Sequence, residues 1–98
     1  MKMIKIKLGI AYYNQGFFNI RKKYEDEFGE NQSKLTIILG ESGKEIEATI
    51  NRTANPNQTP RIMAGKEYTV WIQENFKMGD FLKVEIVSNT RIKLLKNS

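Results

Sequence analysis

The side chains best suited to contact a ligand in this 98-residue chain lie between positions 51 and 61, a segment that contains no acid. Asn, Gln and Arg side chains can hydrogen-bond the edges of bases, and Thr can contact a thymine methyl group. Two prolines restrict the segment, which lowers the ordering entropy lost on binding. An ordinary exposed turn would also be rich in Asn and Pro. The candidate base-contacting residues are Asn51, Arg52, Thr53, Asn55, Asn57, Gln58 and Arg61.

A second group of candidates lies between positions 12 and 23. Asn14 and Gln15 stand between aromatic pairs and beside Gly16, where a backbone without a side chain permits close approach to an adenine edge. The other candidates for nucleic-acid contact in this segment are Tyr13, Asn19, Arg21, Lys22 and Lys23.

The three consecutive cations have two explanations of equal weight. A predicted helix begins near Ile20, and both a helix N-terminus and neighbouring cations attract phosphate. The acids at positions 25–27 follow four residues later, and ion pairs at that spacing stabilise a helix by about 0.3 kcal/mol each. The aromatic residues also have two explanations. Tyr12, Tyr13 and Phe17 could stack on single-stranded bases, although aromatic residues this dense beside a strand more often form a core.

Catalytic chemistry has little support in the sequence. The chain has no His and no Cys, which excludes the commonest general base, thiol nucleophiles and zinc–thiolate sites. None of the eleven acids has Lys two residues later, the spacing of a two-metal nuclease strand. Glu45 and Glu47 share a strand face but lack a third metal ligand. We therefore expect no enzymatic activity, no metal and no cofactor.

The net charge of +5 is distributed unevenly. Positions 1–24 hold six cations and no acid, positions 25–50 have a balance of −5, and positions 48–66 again contain no acid. This alternation favours a polarised surface that attracts polyanions, although a lysine-rich proteome would also decorate a surface in this way. The sequence lacks a long apolar run and a secretory leader. We expect a single domain over residues 1–98, monomeric and cytoplasmic, with no membrane association.

The apolar periodicity predicts mainly strands. Period-two patterns indicate strands at 4–10, 35–39, 46–50, 82–86 and 91–95, with a brief one at 62–63. Helices are predicted from Ile20 to Phe28, with Asn19 as N-cap, and from Lys66 to Phe76. Hairpin turns at 41–44 and 88–90 and an exposed loop at 51–60 join these elements. The pattern favours a mixed α/β, mainly β, barrel-like sheet.

The segment from Gly65 to Val84 carries a family resemblance. A glycine precedes a helix bearing Tyr68 and Trp71, and Gly79-Asp80 then precedes an alternating strand. Together with the first predicted helix, this resembles the DNA-binding pseudobarrel family, which includes plant B3 domains and the recognition or effector domains of EcoRII-like and BfiI-like restriction endonucleases. The resemblance implies a small open pseudobarrel of six to seven strands with two short helices.

The resemblance also implies that two arms hold the major groove of double-stranded DNA, here Tyr12–Lys23 and Asn51–Arg61. The cations at 21–23 would hold phosphates while the amides and arginines contact bases. Such a domain would serve a restriction–modification system, with a nuclease domain or protein as partner, or act as a small regulator. The alternatives are an RNA or single-strand binding module and an interaction domain for an acidic protein.

Overall fold

The computed structural model describes residues 2–96, and its strands form where apolar and polar side chains alternate. The seven strands are β1 (Lys2–Lys7), β2 (Phe17–Asn19), β3 (Lys34–Leu39), β4 (Lys44–Asn51), β5 (Arg61–Met63), β6 (Phe81–Ser88) and β7 (Arg91–Lys96). The helices are α1 (Ile10–Asn14), a 3₁₀ helix (Lys22–Glu27) and α2 (Lys66–Asn75).

All seven strands belong to one sheet in the order β1-β6-β7-β3-β4-β5-β2. Neighbouring strands are antiparallel except β3 and β7, which are parallel. The two edge strands, β1 and β2, are consecutive in sequence and are linked by residues 8–16. That link, five residues of it helical, spans at most about 25 Å, whereas a flat sheet would separate its edges by roughly 29 Å. The sheet must therefore curl, and it forms an open, strongly curled half-barrel.

The core fills the concave side of this sheet. Alternate strand residues point inward and are buried, as Ile4 and Ile6 are in β1 and Leu35, Ile37 and Leu39 are in β3. Helix α2 covers the core with Tyr68 and Ile72, which lie four residues apart on one helix face and are fully buried. The fold class predicted from the sequence, a mainly β open pseudobarrel, is confirmed.

The segment before β2 differs from the prediction. The first strand ends at Lys7 instead of continuing to Ile10, and Ile10–Asn14 forms the short helix α1. The prediction extends too far because apolar residues continue to alternate beyond the end of the strand. Leu8 is buried, but Ile10 is 69% exposed. The helical turn lets Tyr12 and Tyr13 pack against the core. The structure thus has three short helices where the sequence predicts two.

The helix predicted from Ile20 to Phe28 is shorter and of another type. It is the 3₁₀ helix Lys22–Glu27, in which the N–H of Tyr24 donates to the carbonyl of Arg21 at 2.9 Å. Asn19 is not its N-cap, because Asn19 ends β2 and pairs with Arg61 of β5. The N–H of Ile20 donates to the carbonyl of Pro60 at 2.8 Å. This bond keeps the chain extended beyond β2, so the helix begins only at Lys22.

Candidate nucleic-acid interface

The two predicted arms meet at one corner of the sheet. Asn19 of β2 lies opposite Arg61 of β5, and Arg61 lies opposite Asn51 of β4. These three polar residues therefore form a row across three neighbouring strands. The hydrogen bond from Ile20 to Pro60 extends the junction beyond the strand ends. Residues 19 and 20 of the first arm therefore lie beside the C-terminal part of the β4–β5 loop.

A cluster of polar side chains connects the arms across this junction. The Oδ1 atom of Asn19 accepts hydrogen bonds from Nε of Arg61 at 3.0 Å and from Nδ2 of Asn55 at 3.1 Å. Nη2 of Arg61 donates to Oδ1 of Asn55 at 3.4 Å. The guanidinium carbon of Arg61 also lies 4.3 Å from the centre of the Phe17 ring. Stacking and directed hydrogen bonds together fix the plane of the guanidinium.

Asparagine side chains shape the β4–β5 loop from within. Oδ1 of Asn51 accepts hydrogen bonds from the backbone N–H and the hydroxyl of Thr53, at 2.8 and 2.9 Å. Oδ1 of Asn57 accepts one from the hydroxyl of Thr59 at 2.9 Å. Such side-chain contacts with nearby residues stabilise turns. Asn51 and Asn57 thus hold the loop in shape, and their Nδ2 groups make no hydrogen bond within residues 2–96.

The outer part of this loop is open to solvent, but its end is not. Asn57 and Gln58 are exposed, whereas Thr59 and Pro60 are buried. The prediction of an exposed loop over 51–60 is therefore wrong at its last two residues, because Pro60 must receive the hydrogen bond from Ile20 inside the junction. Thr53 is exposed and Asn55 half-buried. The loop also borders a shallow groove of about 470 Å³.

Arg52 has a structural position that its sequence context does not reveal. Its Nε donates to the carbonyl of Gly29 at 2.9 Å, and its Nη2 donates to those of Glu25 at 2.8 Å and Phe28 at 3.1 Å. These bonds satisfy carbonyls at the end of the 3₁₀ helix and tie that helix to the β4–β5 loop. Base contact by Arg52 stays a prediction, and its Nε and Nη2 atoms already donate hydrogen bonds within the chain.

The three cations of the first arm directly follow Ile20 in the chain and are exposed. The described residues show none of the ion pairs predicted at four-residue spacing, and Lys22 instead lies beside Glu25, three residues later, with its Nζ 3.5 Å from the carboxylate. Glu27 instead pairs with Lys2 at 2.8 Å, and this hydrogen-bonded carboxylate raises the pKa of the Lys2 ammonium. Lys23 lies 5.4 Å from the centre of the Tyr24 ring. Arg21 has no carboxylate within 4 Å among residues 2–96.

The beginning of the first arm is hydrogen-bonded to α2 and to Phe76, the residue that follows it, although Asn14 and Gln15 are exposed. The hydroxyl of Tyr13 donates to the carbonyl of Phe76 at 3.0 Å, and Nε2 of Gln73 donates to Oδ1 of Asn14 at 3.1 Å. Gly16 is buried, and its carbonyl accepts the N–H of Gly65 at 2.9 Å. The close backbone approach expected at Gly16 is thus to Gly65 of the same chain. Gln15 remains exposed.

The aromatic rings of this arm contact one another and the core. Phe18 is buried and lies 5.6 Å from the Tyr68 ring. The rings of Tyr12 and Phe17 meet edge to face at 5.8 Å, and Arg61 covers Phe17. These contacts favour the packing explanation for the aromatic residues over a free stacking surface.

Two further features bear on chemistry elsewhere in the molecule. Glu45 pairs with Arg91 at 3.0 Å and Glu47 with Lys34 at 3.2 Å, so each of these acids has a cation as its neighbour. Within residues 2–96, no three acidic side chains converge in a way that could hold a metal ion. The helices in that range are too short and too polar to cross a membrane.

Comparison with known proteins yields a structural relationship. No known family matches the chain, and no curated protein matches it. Among solved structures, the N-terminal domain of Helicobacter pylori LlaJI.R1 superposes with a TM-score of 0.75 over 97% of this chain and 79% of that one. The two chains share a fold. Their sequences are 18% identical, so the likeness extends to the curled half-barrel and not to individual functional residues.

Proposed function

We propose that this chain is a recognition domain for specific sequences in double-stranded DNA and has no catalytic activity of its own. The observation that carries the proposal is the junction of the two acid-poor segments, where Asn19 and Arg61 pair and Ile20 bonds to Pro60. Side chains from both segments are thereby available to one ligand. A duplex offers both phosphates and base edges over such a short distance.

The cations would contact phosphates and the amides would contact base edges. Arg21, Lys22 and Lys23 are exposed, and they would contact phosphates, which supply affinity without sequence information. The exposed amides Asn57 and Gln58 lie on the neighbouring loop, where they could reach base edges in the major groove. Asn51, Asn55 and Arg52 support this loop through their own hydrogen bonds.

The packing of the aromatic residues supports a duplex over a single strand. Single-strand binding sites stack bases on accessible aromatic faces. Here Phe18 is buried, and Phe17 is covered by Arg61 on one face and contacted by Tyr12. The fold neighbour LlaJI.R1 carries a restriction-system name, and we propose a similar setting for this chain, with a nuclease domain or protein supplying any cleavage.

Selection of bound sequences from a randomised duplex library tests this proposal. We expect a short enriched motif after a few rounds. Fluorescence anisotropy should then show tighter binding to that duplex than to either of its single strands, to the matching RNA or to a scrambled duplex at one salt concentration. Comparison at a single salt concentration is needed because phosphate contacts make all these affinities salt-dependent.

The possible results separate the candidate functions. Enrichment of a motif together with preference for the duplex supports sequence-specific recognition. Equal affinity for all duplexes would show a non-specific binder, and stronger binding to single strands or RNA would favour the alternative class. Absence of salt-sensitive binding to any nucleic acid would overturn the proposal and favour an acidic protein partner.

A further inference from the structure

We infer that Arg61 reads a guanine in the major groove, and this inference rests on the proposed function. The chain has two arginines in the second arm, and the structure gives them different tasks. Arg52 directs its guanidinium to three backbone carbonyls of the chain. Both arginines donate through Nε and Nη2, but Nη2 of Arg52 has two carbonyl acceptors, whereas Nη2 of Arg61 has one side-chain acceptor and keeps its outward N–H group available for a ligand.

The hydrogen bonds of Arg61 involve the edge of the guanidinium formed by Nε and Nη2. Nε donates to Asn19 and Nη2 donates to Asn55. A guanidinium has five N–H groups, and Nη1 makes no hydrogen bond to any residue in the range 2–96. The outward N–H groups of Nη1 and Nη2 therefore form a free fork. The O6 and N7 atoms of guanine accept such a fork with two parallel hydrogen bonds.

The surroundings of Arg61 fix this fork in place before any ligand binds. The ring of Phe17 lies below the guanidinium at 4.3 Å. Nδ2 of Asn55 is held in turn by the carbonyl and the hydroxyl of Thr59, at 3.3 and 3.2 Å. An arginine fixed in this way loses little rotamer freedom on binding, which strengthens each contact it makes.

Among residues 2–96, no carboxylate lies within 4 Å of the Arg61 guanidinium. Arg91, by contrast, pairs with Glu45 at 3.0 Å. The partners of Arg61 are neutral amides and an aromatic ring, and the side chain is half-buried. A neutral, hydrogen-bonded frame orients the cation without competing for it as a carboxylate would. Among base edges, the paired acceptors of guanine match it best.

Selection from a randomised duplex library should be run in parallel with the wild-type protein, Arg61→Ala and Arg61→Lys. We expect the wild-type motif to contain a guanine that becomes variable with both substitutions. Affinity for the wild-type motif should fall about 5- to 150-fold in Arg61→Ala, as expected when one bidentate hydrogen-bond pair is removed. Arg61→Lys keeps the charge but not the fork, so it should lose discrimination at that position while retaining binding to scrambled duplex.

A measurement with the wild-type protein alone avoids any effect of the substitutions on folding. Replacing that guanine by 7-deazaguanine removes the N7 acceptor and keeps the base pair, so binding should weaken at this position only. A wild-type motif that both substitutions and the 7-deazaguanine duplex leave unchanged would overturn the inference while the proposed function stands. Failure of the wild-type protein to enrich any motif would overturn both.

Discussion

The indole ring of Trp71 packs directly against the backbone of Gly40. A β-carbon on residue 40 would lie 3.0 Å from Cζ2 of the ring, closer than real β-carbons normally approach. Gly40 also has a φ of 63°, in the left-handed region that favours glycine. It follows β3, and its N–H donates to the carbonyl of Leu94 at 2.8 Å. The contact therefore fixes α2 to the end of the sheet opposite the β4–β5 loop.

We expect Gly40→Ala to lower the free energy of unfolding by more than the roughly 1–2 kcal/mol that a left-handed conformation costs a residue with a side chain. The additional loss would come from displacement of Trp71. Gly43→Ala is the matched control, since Gly43 has a φ of 73° and no other atom within 4 Å of the added carbon. Denaturant unfolding measures both variants. Equal losses in the two would show that Trp71 moves aside without cost.

Arg52→Ala should destabilise the fold by about 2 kcal/mol, because it leaves three carbonyls of the 3₁₀ helix and its C-terminal end without their charged donor. Arg91→Ala removes an arginine from an exposed ion pair and should cost about 1 kcal/mol or less. Thermal and denaturant unfolding give both values. A loss in Arg52→Ala no greater than in Arg91→Ala would contradict the structural role assigned to Arg52.

Stability should decrease at alkaline pH because of Tyr68. Burial raises the pKa of its hydroxyl above the usual value, with a smaller contribution from Tyr12. Above about pH 10, the unfolded chain loses the Tyr68 proton while the folded chain retains it. Tyr68 thus contributes stability that is fully present below this pH and declines by about 1.4 kcal/mol per pH unit as the pH rises further.

Comparison with Tyr68→Phe isolates this effect from the titration of other groups. The stability of the wild-type protein should fall more steeply with pH above about 10 than that of the variant. Parallel pH profiles for wild type and Tyr68→Phe would show that the Tyr68 hydroxyl ionises as readily in the folded chain as in the unfolded one.

The salt dependence of DNA binding should identify the phosphate contacts. Replacing Arg21, Lys22 and Lys23 together by Ala should reduce the slope of log affinity against log salt by up to about 2.7, since each neutralised phosphate contributes about 0.9. The control replaces three exposed lysines outside the arms, Lys66, Lys77 and Lys96, and removes the same charge. Titrations at several salt concentrations give the slopes. Equal reductions in the two variants would point to a diffuse electrostatic effect in place of local contacts.

Much of the sheet could be predicted from apolar alternation, as residues 35–39 and 46–50 show, because inward and outward positions of a half-buried strand differ so clearly. The short helix α1 could not, since Ile10 continues the alternation by chance and is exposed. The difference between Arg52 and Arg61 was equally hidden. Both lie in one acid-free segment. Arg61 has side-chain partners because the register of β2 and β5 places it opposite Asn19, whereas Arg52 lies beyond the end of β4, where the chain passes the 3₁₀ helix and its carbonyls.

The place of β7 in the sheet sets an order on the folding of the chain. This strand, Arg91–Lys96, lies between β6 and β3 and separates the pair β1–β6 from the group β3-β4-β5-β2. During synthesis the other six strands leave the ribosome before it does, as two groups with an unfilled gap between them. The pairing of β3 with β7 joins strands far apart in sequence. Such a pairing forms slowly, and the facing edges of β3 and β6 stay unpaired in the meantime. A nascent chain would therefore stay vulnerable to aggregation until its seventh strand emerges and closes that gap.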